Sequence, residues 1–512
     1  MIELTGAGLT RADVVAVARS NEQVTLAVTA RAAMEASAAI VERLAESEDP
    51  VYGVSTGFGS LANTVIPPER REELQRALLR SHAAGMGPPV EREVVRAMML
   101  LRARTLAMGR SGARPVLVEA ILGLLNAGLT PVVREHGSLG ASGDLAPLAH
   151  AALALIGVGE VCGRDGGVVP SSQALSEAGL TAVTLRAKEG LALVNGTDGI
   201  LGMLLLALHD IENLLRVADV ACAMTVEAVL GTDRAFADDL QQLRPHPGQR
   251  VSAANLRTLL AGSAIVASHL VGDLRHTQVQ DAYSLRCSPQ VHGAARDTVR
   301  YASDVAAAEL VSAIDNPMVL PDGRVESCGN FHGAPLGFAC DFLAIASAEV
   351  GAIAERRTDR LLDASRSQGL PPFLAPDAGV NSGMMIAQYT QAAMVAANRR
   401  LAAPASVDSL PTSAMQEDHV SMAWGAARKL RTVVTNLGRI LAVEVACAAR
   451  ALDLRAPLAP AAGTGAALAA VRTRVAGPGP DRWLAPELAA VEQLVVDGTL
   501  LAAVSAAIGD LS

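Results

Sequence analysis

Gly137-Ser138-Leu139-Gly140-Ala141-Ser142-Gly143-Asp144-Leu145-Ala146-Pro147-Leu148-Ala149-His150 places three glycines and two serines ahead of an apolar helical run. As local structure this is a tight turn followed by a helix over 144–157, with Ser142 or Asp144 accepting the first free N–H groups. Such a turn explains Asp144 and the glycines. It gives no reason for small residues at every position of Ala141-Ser142-Gly143. Ring closure does. If the Gly143 amide nitrogen reaches the Ala141 carbonyl carbon, a five-membered ring forms. Loss of water, including the Ser142 hydroxyl, then leaves an exocyclic methylene. Gly143 is required because a Cβ would obstruct the approach, and Ala141 because the ring must fit a crowded site. The product, 4-methylideneimidazole-5-one, is an electrophile made from the chain itself.

The rest of the sequence bounds what such a turn can serve. Its 512 residues are enough for a large core, and length alone suggests two or three domains. Half the residues are hydrophobic but only 2% are aromatic, so Ala, Leu and Val must build the interior, a mix that favours helices over sheets. A net charge of −9 without a long basic run argues against a nucleic-acid partner. Cys162, Cys222, Cys287, Cys328, Cys340 and Cys447 form no CxxC pair and read as reduced core thiols, neither disulfides nor metal ligands. The first residues lack a signal-peptide layout. Charged residues and histidines are expected to interrupt the apolar runs before they reach membrane-spanning length. The expectation is a soluble cytoplasmic protein without a membrane partner.

Along the chain, Val51-Tyr52-Gly53-Val54-Ser55-Thr56-Gly57-Phe58-Gly59 is a glycine-spaced loop without the strand and helix of a phosphate-binding fingerprint. On composition alone Tyr52 is a packed loop tyrosine. Residues 69–80 predict an amphipathic helix leading to His82, ordinarily a structural histidine. Two helical runs occupy 90–130, and 163–170 is a polar surface excursion. Residues 188–199 read as a loop containing Asn195, opening a long helix from Ile200 to about Gly231. Tyr283 and Arg286, three apart, share one face of a helix or turn. They form either a stacked surface pair or a guanidinium fork for a carboxylate. Loops at 314–317 and 329–335, the latter containing Phe331, enter long helices over 336–362 and 381–403. The cluster Met415-Gln416-Glu417-Asp418-His419-Val420-Ser421-Met422 reads as a helix start with acidic residues in its first turn. No PLP-lysine or nucleotide motif stands out, so no external cofactor and no metal is expected.

The 137–150 stretch closely resembles the signature of the aromatic amino acid ammonia-lyases, and agreement runs from about residue 50 to 455. The 51–59 loop is similar to the one that carries the family's catalytic tyrosine, with Ser55 where Asn is usual. The 195–198 motif matches at Asn195 and departs at Asp198, where Gln is usual. The resemblance implies a methylidene-imidazolone formed from Ala141, Ser142 and Gly143. It makes Tyr52, Tyr283, Glu417 and Asn195 catalytic, with Tyr52 as the β-proton base and Asn195 supporting the ring carbonyl. It places His82, Gln280, Arg286 and Phe331 in substrate binding, with Arg286 on the carboxylate. A carboxylate at 417 and a histidine at 82 suit both nitrogens of an imidazole. Elimination of ammonia from histidine is therefore the expected reaction. A tyrosine or phenylalanine lyase, or an aminomutase with the same electrophile, is the alternative.

The implied fold is mainly α and ammonia-lyase/fumarase-like: a cofactor-bearing helical region over 1–198, a central bundle with site loops over 199–455, and a helical part over 456–512. The resemblance also implies a homotetramer whose sites are shared between chains.

Overall fold

Alanine, leucine and valine fill the interior, and helices carry nearly all of them. The computed structural model describes residues 1–46, 50–268 and 279–512. The mainly α expectation holds. Strands are two to four residues long and occur in four small sheets among the described residues.

The chain packs as two compact units, each gathered from separated stretches. One comprises 1–207, 302–341 and 404–428, the other 208–301, 342–403 and 429–512. The expected regions 1–198, 199–455 and 456–512 follow chain order, whereas these units cut across it.

In the first unit Arg92–Ala107 packs against Arg11–Ser20 and Pro115–Ala127. Its Arg96 is fully buried. The guanidinium donates to the Val17 carbonyl at 2.9 and 3.0 Å and to the Leu125 carbonyl at 3.1 Å. Both carbonyls lie in the last turns of their helices, where the regular helical acceptor pattern ends, and the Leu125 carbonyl also accepts the Gly128 N–H at 3.1 Å. Arg71–His82 and Leu145–Leu155 agree with the predicted 69–80 and 144–157 helices to within two residues. The 163–170 excursion is the turn and return strand of a hairpin, Glu160–Cys162 paired with Val168–Pro170. A parallel pair, Ile2–Leu4 with Val24–Leu26, had no counterpart in the sequence reading, since three residues are too few to show a period. Trp424 is buried, donates its indole N–H to the Glu135 carbonyl at 2.7 Å and packs on Gly199.

Two expectations are corrected. Residues 188–199 are not a plain loop, because Glu189–Val194 is a short helix whose six residues are all buried. Its N-terminal Gly190 and Leu191 N–H groups are taken by the Gln75 amide oxygen. The apolar runs also reach greater length than expected. Among the described residues Glu189–Ala228, Ala334–Leu362 and Ala423–Asp453 are long and apolar enough to cross a membrane. Their apolar windows are 100%, 67% and 78% buried within the protein, so this hydropathy is that of core helices in an aromatic-poor interior.

The second unit holds its own buried polar network. Asp219 accepts from His292 Nδ1 at 2.8 Å, Arg296 at 2.6 Å and Ser252 at 2.6 Å. Burial alone would raise the Asp219 pKa, but the Arg296 and His292 contacts outweigh it and hold it at about 2.

Candidate active site

The Ala141-Ser142-Gly143 turn is wedged against three other loops of the first unit. Gly140 and Gly143 have φ of +66° and +72°. A Cβ on Gly143 would lie 2.2 Å from the Gly196 carbonyl oxygen, so only glycine fits. That same oxygen accepts the Asp144 N–H at 2.7 Å. On the other side the Gly140 carbonyl accepts from the Ser421 hydroxyl at 2.7 Å and from the Gly333 N–H at 3.1 Å.

Asp144 departs from the local-turn reading. It flanks Leu145–Leu155 but makes no side-chain cap there. Its Oδ2 instead accepts the Gly199 and Ile200 N–H groups at 2.8 and 3.0 Å, capping the helix Asp198–Ala228. The carboxyl is completely buried with Asp198 nearby. Burial outweighs the two backbone hydrogen bonds and pushes its pKa up to about 8.

A cavity of about 1010 Å3 opens over this turn. It is lined by Tyr52, His82, Ala141, Ser142, Asn195, Phe331 and Glu417, seven of the eleven expected site residues. Each reaches it for a local reason. The Tyr52 hydroxyl oxygen accepts the Gly59 N–H at 3.3 Å, a contact across its own glycine loop. His82 ends Arg71–His82, its Nδ1 lies 3.1 Å from the Ser81 hydroxyl, and burial lowers its pKa against the raising effect of Glu417. Asn195 follows the short helix, donates Nδ2 to the Asn316 carbonyl at 2.9 Å, and leaves a buried Oδ1 without a protein partner.

Glu417 does not begin a helix as the 415–422 cluster suggested, for the helix starts at Ala423. It pairs backbone to backbone with Thr412 across a turn in which Ser413, Ala414 and Met415 have φ of +50°, +51° and +70°. Three consecutive left-handed residues are costly and point to a functional constraint. The turn presents the carboxylate between two hydroxyls, Thr412 at 2.7 Å and Ser142 at 3.2 Å.

Gln280, Tyr283 and Arg286 lie in the second unit. Tyr283 opens the single turn Tyr283–Arg286 and is 70% exposed. The Arg286 guanidinium stacks on its ring at 4.6 Å and donates to the Asp281 carbonyl at 2.8 Å. The one-face expectation for the pair holds. His332 and His419 also line the cavity, with rings 6.0 Å apart and nearly parallel. Neither carries a role in the sequence analysis, although His332 stands in the 329–335 loop and His419 in the 415–422 cluster. No group of three metal-ligating side chains occurs among the described residues.

The family model for aromatic amino acid lyases matches residues 9–473. The chain belongs to the aromatic amino acid lyase family. Members of the family use an electrophilic group formed from their own chain. This lyase is 59% identical to a histidine ammonia-lyase of Streptomyces griseus, over 99% of this chain and 98% of the relative. Among solved structures it resembles a tyrosine aminomutase from Streptomyces globisporus, with TM-score 0.94, 38% identity and full coverage of both chains. It also resembles a histidine ammonia-lyase from Trypanosoma cruzi, with TM-score 0.91 and 38% identity over 99% and 95% of the two chains. The residues of this lyase fit the family's group. Gly143 has no room for a side chain, and Asn195, whose buried amide oxygen has no protein partner, lines the same cavity as the turn.

Proposed function

We propose that the enzyme removes ammonia from L-histidine to give trans-urocanate, with Ala141, Ser142 and Gly143 forming 4-methylideneimidazole-5-one. The observation that carries this reading is the placement of the Glu417 carboxylate 3.2 Å from the Ser142 hydroxyl, with His82 on the same cavity. Once formed, the group supplies an electrophile to the substrate amine, which turns the nitrogen into a better leaving group.

The chain's own residues do the rest. Glu417 accepts an imidazole N–H, while His82, kept neutral by burial, serves the other ring nitrogen. Tyr52 takes the β-proton, its oxygen steadied by the Gly59 N–H. Phe331 gives the ring an apolar wall, and the free N–H of the Asn195 amide serves the carbonyl of the cyclised turn. Gln280, Tyr283 and Arg286 complete the site of a neighbouring copy in a cytoplasmic homotetramer, with the Arg286 fork on the substrate carboxylate. The exposure of Tyr283 supports that last assignment.

The second reading is a tyrosine-directed lyase or aminomutase, favoured by the likeness to the Streptomyces globisporus structure, with His82 receiving the phenol. Product formation from L-histidine, L-tyrosine and L-phenylalanine by the purified enzyme, followed as urocanate, coumarate, cinnamate and β-amino acid, separates the two. Urocanate forming fastest supports the first reading. Coumarate or β-tyrosine forming fastest overturns it.

A further inference from the structure

Asn195 reaches the cavity with one end of its amide committed. The Asn316 carbonyl can only accept, so the atom facing it at 2.9 Å must be Nδ2, and Oδ1 is left facing the other way. The direction of the amide therefore depends on where the Asn316 peptide is held. Three buried cations hold the segment 312–316. Arg104 donates to the Ser312 carbonyl at 2.6 Å, Arg102 to the Ile314 carbonyl at 2.8 Å, and Lys188 to the Asp315 carboxylate at 2.8 Å.

The Lys188–Asp315 pair acts on Asn316 most directly. Neither side chain has any solvent exposure. Lys188 also donates to the Ser111 carbonyl at 3.0 Å, which anchors its ammonium, and the second Asp315 oxygen accepts the Asn316 N–H at 2.7 Å. The Asn316 side chain is fixed in turn, its Oδ1 accepting from the Cys328 N–H at 2.8 Å and the Ser327 hydroxyl at 3.1 Å. A fully buried ion pair is a poor source of stability, because desolvating two charges offsets their attraction. What this pair does supply is orientation.

We propose that Lys188 and Asp315 are positioning residues for the elimination: through the Asn316 carbonyl they set the Asn195 amide so that its oxygen faces the substrate's amino group. An oxygen accepts N–H from that group, whereas a flipped amide would oppose it with its own N–H donors. This inference rests on the proposed placement of Asn195 in the reaction site.

The test is a double-mutant cycle between Asp315→Asn and Asn195→Ala, with kcat and KM measured on histidine. An asparagine at 315 can satisfy Lys188 or the Asn316 N–H, but not both. Asp315→Asn should lower kcat about 10- to 100-fold with KM within about 3-fold, and its effect should shrink below about 2-fold in the Asn195→Ala background. The pair is also replaced by Lys188→Met with Asp315→Leu, which removes both charges together. That enzyme should fold, keep the near-ultraviolet band of the cyclised turn, and lose kcat to the same degree. Equal losses in both Asn195 backgrounds, or failure of the Met/Leu enzyme to fold, assigns the pair to stability and overturns the proposal. An Asn195→Ala enzyme at wild-type rate instead rejects the role given to Asn195, and a wild type inert towards histidine rejects the substrate.

Discussion

Ser142 and Glu417, 275 positions apart in the chain, meet at 3.2 Å with the serine hydroxyl donating to the carboxylate. The residue proposed to become the electrophile and the residue proposed to select the substrate therefore lie within one hydrogen bond. Glu417 can neither move nor lose its charge without changing the surroundings of the turn.

Ser142→Ala removes the hydroxyl whose loss would create the methylene. The variant should fold, since it gives up a single neutral-to-charged hydrogen bond, worth about 1.5–3 kcal/mol. Its activity should fall to background and the near-ultraviolet band of the conjugated ring should vanish. Wild-type turnover by Ser142→Ala would rule out the self-made electrophile.

Glu417→Gln keeps the volume and a hydrogen-bonding group but removes the anion. If the carboxylate receives the imidazole N–H and assists proton movement, histidine turnover should drop by about 10²–10⁴-fold. The turn at 413–415 should hold, because its backbone pairing with Thr412 does not involve the carboxylate. Urocanate formation is the measurement, and an unchanged rate would take the catalytic role away from Glu417.

Arg286 is proposed to act in a neighbouring copy's site. Arg286→Lys keeps the charge but loses the fork, so kcat/KM should fall. The stronger test co-expresses two inactive chains, Ser142→Ala and Arg286→Ala. Mixed oligomers should regain activity that neither variant shows alone, since some sites would draw an intact residue from each chain. No recovery would confine the site to a single chain.

The pH dependence of stability follows from groups that burial displaces in opposite directions. His82, His150 and His292 are all lowered from the ordinary histidine value of about 6.5, by burial first in each case. His150 shows why it must stay neutral, because its Nε2 accepts the Gly85 N–H at 3.0 Å. Below about pH 6.5 the unfolded chain binds protons that the folded chain refuses, so stability falls as pH falls. Asp144 runs the other way. Raised to about 8, it binds a proton in the folded state that the unfolded chain has released, and its contribution disappears as pH rises through that value. Denaturant unfolding should show a fall in stability between about pH 6.5 and 8 that levels off above 8, with a further loss on the acid side below about 6.5, and Asp144→Asn should flatten the fall between 6.5 and 8. A stability that holds level or rises between about pH 6.5 and 8 would contradict the buried acid.

What could be read in the sequence divides by range. Leu145–Leu155, Arg71–His82 and Ala334–Leu362 were legible because a helix writes its period over ten or more neighbouring residues. The loops bearing Tyr52, Asn195 and Glu417 were legible as polar, glycine-marked segments and through their likeness to a known family. Asp144 was misread because its carboxylate caps a helix 55 positions away, and nothing local says so. Lys188 and Asp315, 127 positions apart, carry no mark of being partners. The short helix Glu189–Val194 was hidden because burial on every side leaves no polar face to give it a period.

The two tryptophans of the chain fall one to each unit. Trp424 is 3% exposed, against Gly199 at the start of the helix that Asp144 caps, and Trp483 is 80% exposed. Indole emission shifts to longer wavelength when water reaches the ring. Unfolding of the first unit should therefore move the spectrum, while unfolding of the second leaves an already hydrated indole nearly silent. The molecule thus carries a built-in optical reporter of the unit that holds the Ala141-Ser142-Gly143 turn. Far-ultraviolet dichroism sees both units, and any gap between the two signals during denaturation would show whether they come apart together.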